Sequence, residues 1–455
     1  MTERLVVIGA DAAGMSAASQ ARRARDQGDL RIVAFDRGRH TSYSACGIPY
    51  WIGGQVASAD NLVARTPEAH RERGIDVRLR HEVLGIDLDR REVVARDLDG
   101  GGELREGFEQ LMIAAGAMPV RPDWTGVDAR GVHGVQTLDD GEDVHDTLDR
   151  GGRRAVVIGG GYIGVELAES MVRRGLSVTM LEKADQPMSS LDPDMGALVR
   201  KAMCGVGIEV RTGVSVRGIE AGGDGWVRAV ATDDDTVPAD VVVLGLGTRP
   251  NSGLARDAGL PVGRSGGIVT DRRMRVPGHD GVWAGGDCVE TLHLVSGLPV
   301  SIPLGTHANK QGRVAGINLG GGYATFPGVV GTAMSKVCDL EIARTGLTEK
   351  EAEASGFAFV TATIESDARA GYYPGAEGMT VKLLAERGTG RLLGGQIVGR
   401  EGAAKRVDVL AVALWNRMTV EEMTALDLGY APPFSPVWDP VLVAARKAAE
   451  VCRNG

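Results

Sequence analysis

The amino-acid sequence predicts an α/β fold on the strength of three observations. Residues 5–18 (LVVIGADAAGMSAA) and 155–169 (AVVIGGGYIGVELAE) each place an apolar, β-branched strand before a small-residue turn and the start of a helix. A third apolar stretch, within residues 281–290 (GVWAGGDCVE), runs into a Gly-Gly-Asp turn. Strands that alternate with helices in this way build βαβ units around a parallel sheet. The sequence therefore predicts two Rossmann-like units in one chain.

The second copy carries the complete G-x-G-x-x-G pattern. In a βαβ unit, the backbone amides that open the helix face a pyrophosphate, and the glycines let it come close to the chain. The next predicted strand ends at Glu182, where a carboxylate can accept both hydroxyls of an adenosine ribose. A ribose 2′-phosphate would meet a like charge there, so Glu182 favours NADH, whereas Lys183 leaves NADPH open. The residues expected to bind this dinucleotide are Gly159, Gly161, Tyr162, Ile163, Gly164 and Glu182.

The first copy is less regular. Gly9 and Gly14 occupy the outer glycine positions, but Asp11 stands where the middle glycine is expected. The following strand ends at Asp36, a second candidate ribose ligand. A βαβ unit that binds no phosphate remains the alternative for this stretch.

Two dinucleotide sites in one chain indicate that a flavin and a nicotinamide work together. Asp287 supports this interpretation, because an aspartate at a strand end beside glycines can hydrogen bond a polyol such as the ribityl chain of FAD. Taken alone, the same stretch could be an ordinary turn. The remaining residues expected to contact cofactor are Gly9, Asp11, Ala12, Ala13, Gly14, Asp36, Arg37, Ala115, Gly116, Gly247, Gly286 and Asp287.

Two further segments predict where the chain crosses between the units. Residues 112–119 (MIAAGAMP) and 243–250 (VLGLGTRP) each run from a strand into a small-residue turn. These crossings would place an NAD(P)H-binding domain, residues 120–245, inside an FAD-binding domain that is split into residues 1–119 and 246–322.

Composition excludes several classes of partner. The 455 residues carry 60 Asp and Glu against 51 Lys and Arg, with no block of like charge, so nucleic acid is not expected to bind. No apolar stretch is long enough to cross a bilayer, and MTER leads directly into the strand LVVIG without a signal peptide, which predicts a cytoplasmic protein. Five scattered cysteines indicate reduced thiols, and none has the spacing of metal ligands.

The first cysteine lies in the stretch TSYSACGIPY, residues 41–50. A cysteine kept for packing usually lies in an apolar run, whereas Cys46 follows small and polar residues. Gly47 and Pro49 favour a bent, non-helical backbone that would hold the sulfur at an exposed end. Cys46 is therefore the candidate reactive thiol, and the other four cysteines are expected to be structural.

Over essentially its whole length the chain resembles the pyridine nucleotide-disulfide oxidoreductases, whose fold is that of glutathione reductase. The C-x-x-x-x-C pair of the glutathione reductase branch is missing. Instead, SYSACGIPY is similar to the single-cysteine loop of the coenzyme A disulfide reductases, whose relatives include NADH oxidases, NADH peroxidases and persulfide reductases. A G-x-x-x-x-G flavin turn is common in that branch, which supports the first copy as an FAD site. The resemblance also implies a homodimer with a C-terminal α+β dimerisation domain, residues 323–455.

Two aromatic motifs extend the resemblance to the C-terminal part. GYYPGAEGM and YAPPFSPVWDP resemble motifs that reach across the dimer towards the partner's cysteine, which implies catalytic roles for Tyr372 and Tyr430 beside Cys46. The resemblance further implies substrate contacts from Ser16, Gln20, Arg23, Ser42 and Asn309. Ala45, Phe434 and Trp438 depart from the polar or basic residues of the family, which weakens the case for coenzyme A itself.

The implied activity is electron transfer from NADH through FAD to Cys46 and on to a low-molecular-weight disulfide, with coenzyme A disulfide, a persulfide or polysulfide as substrate. The Cys46 thiolate is expected to be stabilised near neutral pH by the flavin edge and the start of a helix. An NADH oxidase or peroxidase that uses a cysteine sulfenic acid is the alternative. Pro49 and the absence of a histidine near Ala12 and Ala13 favour the disulfide reductase. A flavin-bound redox sensor is a third hypothesis, which the complete NADH site disfavours.

Overall fold

The computed structural model describes residues 2–454, and its first segment is an α/β unit. Residues 3–119 form β1 (Glu3–Ile8), α1 (Ala12–Ala24), β2 (Leu30–Phe35), α2 (Ile48–Ile52), α3 (Pro67–Arg71), β3 (Ile75–Arg78), β4 (His81–Asp87), β5 (Glu92–Asp97), β6 (Glu103–Gly107), β7 (Gln110–Ile113) and β8 (Ala117–Pro119). The apolar run of β1 is buried, as expected of a strand covered on both faces.

The second segment repeats this arrangement. Residues 132–250 form β9 (Val132–His133), α4 (Leu138–Asp149), β10 (Arg154–Ile158), α5 (Tyr162–Arg173), β11 (Ser177–Glu182), α6 (Pro193–Gly205), β12 (Glu209–Thr212), β13 (Val216–Ala221), β14 (Val227–Thr232), β15 (Thr236–Pro238), β16 (Val241–Leu244) and β17 (Thr248–Pro250). Strand β10 lies at the centre of a parallel sheet in the order β12-β11-β10-β16-β9.

The chain then returns to the first unit. Residues 253–319 form α7 (Gly253–Asp257), β18 (Val282–Ala284), β19 (Thr291–Leu292), β20 (Pro299–Val300) and α8 (Gly305–Leu319). Strand β18 completes a parallel sheet in the order β18-β7-β1-β2-β3. Helix α8 packs closely on α1, since a Cβ atom at Gly312 would lie 2.2 Å from the carbonyl oxygen of Ala13. The two parallel sheets confirm the predicted α/β fold.

Both crossings between the units run side by side. Strands β8 and β17 pair antiparallel, with Pro119 opposite Thr248. Two small antiparallel sheets, β4-β5-β6 and β13-β14-β15, extend one from each unit.

The C-terminal segment is built around an antiparallel sheet. Residues 333–454 form β21 (Ala333–Val337), β22 (Leu340–Gly346), α9 (Glu349–Ala354), β23 (Phe359–Asp367), β24 (Gly378–Glu386), β25 (Leu392–Gly399), α10 (Val407–Trp415), α11 (Val420–Met423) and α12 (Pro440–Asn454). The strand order is β21-β22-β25-β24-β23, and α12 packs on β23 and β24. Among the described residues, no helix is both long and apolar enough to span a membrane.

An ion cluster around the buried Lys382 and Asp192 side chains joins this sheet to the second unit. The Lys382 ammonium on β24 lies 2.8 Å from carboxylate oxygens of Asp194 and Glu349 and 3.2 Å from Asp192. The Asp192 carboxylate also accepts a 2.6 Å hydrogen bond from the Gln396 amide. Only 5% of the Lys382 side chain is exposed, so this contact fixes α6 against the C-terminal sheet.

Candidate active site

Both predicted nucleotide turns have the same backbone geometry. Gly9 and Gly159 each have a φ of +98°. A Cβ atom at either would lie within 2.4 Å of the carbonyl oxygen of the residue that follows the neighbouring strand, Ala114 after β7 or Gly245 after β16. Gly14 and Gly164 each approach the carbonyl oxygen of the first glycine, to which an added Cβ would come within 1.9 Å. Only glycine fits at these positions, and the helix amides that follow are left facing outward.

An acid at the end of the next strand supports each turn in the same way. The Asp36 carboxylate accepts 2.8 Å hydrogen bonds from the amides of Ala10 and Gly38. The Glu182 carboxylate accepts hydrogen bonds from Gly160, at 2.6 Å, and from Ala184, at 2.7 Å. Each carboxylate oxygen keeps a free lone pair, so both acids can still accept a ribose hydroxyl.

The residues around the first turn fit the flavin dinucleotide that the sequence predicts. Asp287 follows β18, and burial raises its pKa to about 6. No group among residues 2–454 donates a hydrogen bond to its carboxylate, so the carboxylate can accept hydrogen bonds from the hydroxyls of a polyol. Gly286 has a φ of +85°, and its amide donates a 2.7 Å hydrogen bond to the Gln311 side chain on α8. Gln311 has no motif around it in the sequence and was not predicted.

Asp11 connects the first turn to the cysteine loop. Its carboxylate accepts a 3.1 Å hydrogen bond from the Tyr43 amide, and burial raises its pKa to about 6. The Thr41 hydroxyl donates to the carbonyl oxygen of Ala10. The residue that breaks the G-x-G pattern therefore holds the segment that leads to Cys46.

Cys46 lies exposed in a 3-10 turn, Ala45–Gly47, that continues into α2. The prediction of a non-helical backbone here was wrong, because proline is tolerated in the first turn of a helix and Pro49 lies there. The Pro49 carbonyl accepts a 2.6 Å hydrogen bond from the buried Ser170 hydroxyl on α5. Through this bond the cysteine segment contacts the helix that opens at the second nucleotide turn.

Two acidic groups act on the Cys46 sulfur. Although Cys46 is exposed as a residue, partial desolvation of its sulfur is the largest cause that raises the pKa of the thiol, followed by the carboxylates of Glu166 and Asp287. Glu166 lies on α5, where burial raises its pKa to about 7 although the Ser335 hydroxyl donates it a 2.8 Å hydrogen bond. The side chains around Cys46 therefore favour the neutral thiol, and stabilisation of the thiolate by the flavin edge and the start of a helix stays a prediction. Glu166 was not predicted, although it lies only two residues after Gly164, the last glycine of the motif.

Hydrogen bonds join the polar residues implied as substrate contacts in pairs or to a neighbour. Ser16 on α1 donates a 2.8 Å hydrogen bond to Asn309 on α8, and Arg23 donates a 3.3 Å hydrogen bond to Gln20. Ser42, with a φ of +52°, lies 2.9 Å from the buried His70 imidazole.

Two arginines that the sequence did not single out, Arg65 and Arg73, act electrostatically on each other and on His70. Burial, followed by the like charges of Arg73 and Arg23, lowers the pKa of the Arg65 guanidinium. Burial and the charges of Arg65 and Arg73 also lower the pKa of His70 to about 4. Arg23, Arg65 and Arg73 thus form a basic cluster, which sequence separation concealed because about 40 to 50 residues divide Arg23 from the other two.

The two predicted tyrosines lie on neighbouring exposed loops of the C-terminal segment. Tyr372 is 77% exposed and Tyr430 is 49% exposed. Within residues 2–454 of one chain, no hydrogen bond joins either tyrosine to Cys46. Phe434 and Trp438 are exposed on the second of these loops.

The remaining predicted residues lie at the edges of the turns. Gly116 and Gly247 have positive φ angles at the two crossings, and Ala115 accepts a 3.2 Å hydrogen bond from Asn251. Arg37 is exposed after Asp36, and Ala12 and Ala13 begin α1. Tyr162 and Ile163 begin α5 and pack partly buried against the core of the second unit.

Comparison with known proteins agrees with this architecture. The family model described as pyridine nucleotide-disulphide oxidoreductase matches residues 3–312, and the model of its dimerisation domain matches residues 332–440. An NAD(P)H coenzyme A polysulfide/persulfide reductase of Pyrococcus horikoshii is 36% identical over 98% of both chains. An NADH oxidase of Methanocaldococcus jannaschii is 35% identical over 99% of this chain and 100% of its own.

A solved structure has the same fold. The NAD-dependent persulfide reductase from A. fulgidus is 39% identical, with a TM-score of 0.95 over 99% of this chain and 84% of its own. The family implies FAD and NAD(P)H as cofactors, and the resemblance drawn from the sequence is confirmed. The paired glycine turns, the single cysteine between them and these matches together establish that the chain is an oxidoreductase belonging to the pyridine nucleotide-disulphide oxidoreductases.

Proposed function

We propose that the protein is an FAD-dependent NAD(P)H oxidoreductase that reduces a low-molecular-weight disulfide, persulfide or polysulfide through Cys46. The position of Cys46 is the observation that carries the proposal. Its segment is held by Asp11 of the first nucleotide turn on one side and by Ser170 of α5 on the other. In this proposal Cys46, an exposed residue whose segment contacts both units, receives electrons from the flavin and meets substrate from solvent.

A single cysteine is sufficient for this chemistry. FAD, when bound, supplies a two-electron carrier between NADH and sulfur. The Cys46 thiolate attacks a disulfide RSSR, forming a mixed disulfide with one half and releasing the other as a thiolate. Two electrons from NADH then cleave the mixed disulfide, so that NADH, RSSR and one proton give NAD⁺ and two RSH.

Coenzyme A is the carrier that the basic cluster favours. Arg23 and Arg73 act electrostatically on Arg65, and Arg65 and Arg73 act on His70, which lies 2.9 Å from Ser42 of the cysteine loop. Charged groups of this kind bind phosphates. Relatives named NAD(P)H coenzyme A polysulfide/persulfide reductase and coenzyme A disulfide reductase support the same choice.

We further propose NADH over NADPH, because the Glu182 carboxylate would repel a 2′-phosphate. The domain boundaries stay as proposed from the sequence, with an inserted NAD(P)H-binding domain at 120–245. The matched dimerisation domain and the exposed Tyr372 and Phe434 support a homodimer in which the tyrosines approach the partner subunit's Cys46. Five free thiols support a cytoplasmic location.

The test is anaerobic NADH consumption with coenzyme A disulfide as the only acceptor, while free thiol is counted. Two thiols formed per NADH are expected. If disulfide, persulfide and polysulfide all fail as acceptors and NADH is consumed rapidly when air is admitted, the proposal is wrong and the protein is an oxidase.

A further inference from the structure

We propose that Arg406 is a positioning residue that holds the Tyr372 and Tyr430 loops in one fixed arrangement. The inference rests on the proposed function, because it assigns those tyrosines to the active site. It adds a residue that no sequence motif points to, on the short 3-10 turn Ala404–Arg406 that precedes α10.

One guanidinium contacts both loops. Its Nη2 donates a 2.7 Å hydrogen bond to the carbonyl oxygen of Ala368 and a 2.9 Å hydrogen bond to the carbonyl oxygen of Phe434. Ala368 is four residues before Tyr372, and Phe434 is four residues after Tyr430. The same nitrogen therefore determines how far apart the two loops lie at their bases.

The guanidinium is itself held in place. Its Nε donates a 3.0 Å hydrogen bond to Asp439, and its Nη1 donates to the carbonyl oxygen of Gly402. The Asp439 carboxylate also accepts from the Ser435 hydroxyl, at 3.1 Å, and from the Val441 amide, at 2.9 Å. Only 12% of each side chain in the Arg406–Asp439 pair is exposed, in contrast to the loops that it supports.

The loops also touch each other directly. The Ala370 amide donates a 3.2 Å hydrogen bond to the carbonyl oxygen of Pro432, and the Ala368 amide donates a 2.8 Å hydrogen bond to Glu377, which closes the first loop. Because these bonds are made by the same loop segments that Arg406 contacts, we expect the two loops to open together when Arg406 is changed. Lysine carries the charge but presents no planar fork, so it cannot replace the two carbonyl contacts while keeping Asp439.

The experiment compares Arg406→Lys and Arg406→Met with Lys405→Met, a neighbouring exposed residue whose ion pair is with Asp408. Hydrogen exchange of residues 368–377 and 427–439 is measured on the flavin-loaded protein, with disulfide turnover and the rate of flavin reduction by NADH. For both Arg406 variants we expect the two segments to exchange faster together. We expect kcat for the disulfide to fall on the order of 10²-fold in Arg406→Met and less in Arg406→Lys. The rate of flavin reduction by NADH should be unchanged in both Arg406 variants. In Lys405→Met, hydrogen exchange, disulfide turnover and flavin reduction should all be unchanged.

Two results would overturn the inference: unchanged exchange in both segments of the Arg406 variants, or an equal loss of flavin reduction and disulfide turnover, which would indicate a general folding defect. Disulfide turnover by the wild-type protein distinguishes failure of the proposed function from failure of this inference. If the wild type reduces no disulfide, that function fails, while hydrogen exchange still decides whether Arg406 couples the loops.

Discussion

Cys46 is the residue on which the proposed chemistry depends, and replacing its sulfur separates the two halves of the reaction. In Cys46→Ser we expect NADH to reduce the flavin at the wild-type rate, because neither nucleotide turn is altered. Disulfide turnover should be lost, since serine cannot form the mixed disulfide. Stopped-flow reduction and steady-state thiol release measure the two halves, and disulfide turnover retained by the serine variant would contradict the mechanism.

Glu166 should control how easily Cys46 ionises. Its carboxylate raises the pKa of the Cys46 thiol once Glu166 itself ionises, near its own pKa of about 7. Removing that negative charge in Glu166→Gln favours the thiolate, so the pKa of Cys46 should fall and alkylation at pH 8 should become several times faster. Asp287, the other acid that raises this pKa, is unchanged in the variant.

Iodoacetamide labelling of the reduced protein, followed by peptide mass spectrometry across pH, measures this effect. Cys204 is exposed on α6 and serves as the reference thiol within the same sample. A pH profile for Cys46 that does not move relative to Cys204 would exclude Glu166 as the controlling charge.

Glu182 should set the preference between NADH and NADPH. In Glu182→Gln the charge that opposes a 2′-phosphate is gone, and one side-chain oxygen remains for the turn amides. We expect the ratio of kcat/KM for NADH to that for NADPH to fall by about tenfold, or ~1.4 kcal/mol. Asp185→Asn removes an exposed acid from the same loop and should leave the ratio unchanged. An equal fall of this ratio in Glu182→Gln and Asp185→Asn would show that the net charge of the loop, and not Glu182 itself, sets the preference.

At the scale of elements, the two nucleotide turns can be tested as a matched pair. Gly14→Ala and Gly164→Ala each place a Cβ atom 1.9 Å from a carbonyl oxygen, so each turn must shift. We expect Gly14→Ala to purify with less flavin, and Gly164→Ala to keep its flavin but to be reduced slowly by NADH. Gly28→Ala, whose Cβ would meet nothing within 4 Å, is the control. Absorbance measures the flavin content, and stopped-flow measures the rate of its reduction by NADH. Loss of flavin in Gly164→Ala and slow reduction of retained flavin in Gly14→Ala would contradict the assignment.

The sequence predicted those turns because their signal is local. Strand, glycines, helix and acid follow one another within about 30 residues, and each has a steric or hydrogen-bonding reason to be there. The short helix after Cys46 could not be predicted in the same way, because Pro49 is compatible with both a bend and a helix start. Gln311, Arg65 and Arg406 were missed since their partners are distant in sequence and only the folded chain brings them together.

At the scale of the whole molecule, Lys382 should determine how firmly the second unit is attached to the C-terminal segment. Burial alone would lower its pKa, but hydrogen bonds to Asp194 and Glu349 raise it. Lys382→Met leaves Asp192 and its neighbours without their cation, a change that costs about 3–5 kcal/mol for buried pairs. We expect a lower Tm by calorimetry in this variant. Lys447→Met, which removes an exposed ion pair with Glu450, should leave the Tm unchanged. Equal Tm values for the two variants would show that the cluster contributes little to stability.

The pairing of strands β8 and β17 bears on how such a chain can evolve. Because Pro119 lies opposite Thr248, the segment between them leaves and re-enters the first unit at one place. Closely spaced ends are what allow one domain to be inserted into another. A recombination event that exchanged this segment for another of similar design would therefore need no new linker, and the flavin half could acquire a different electron donor in one step.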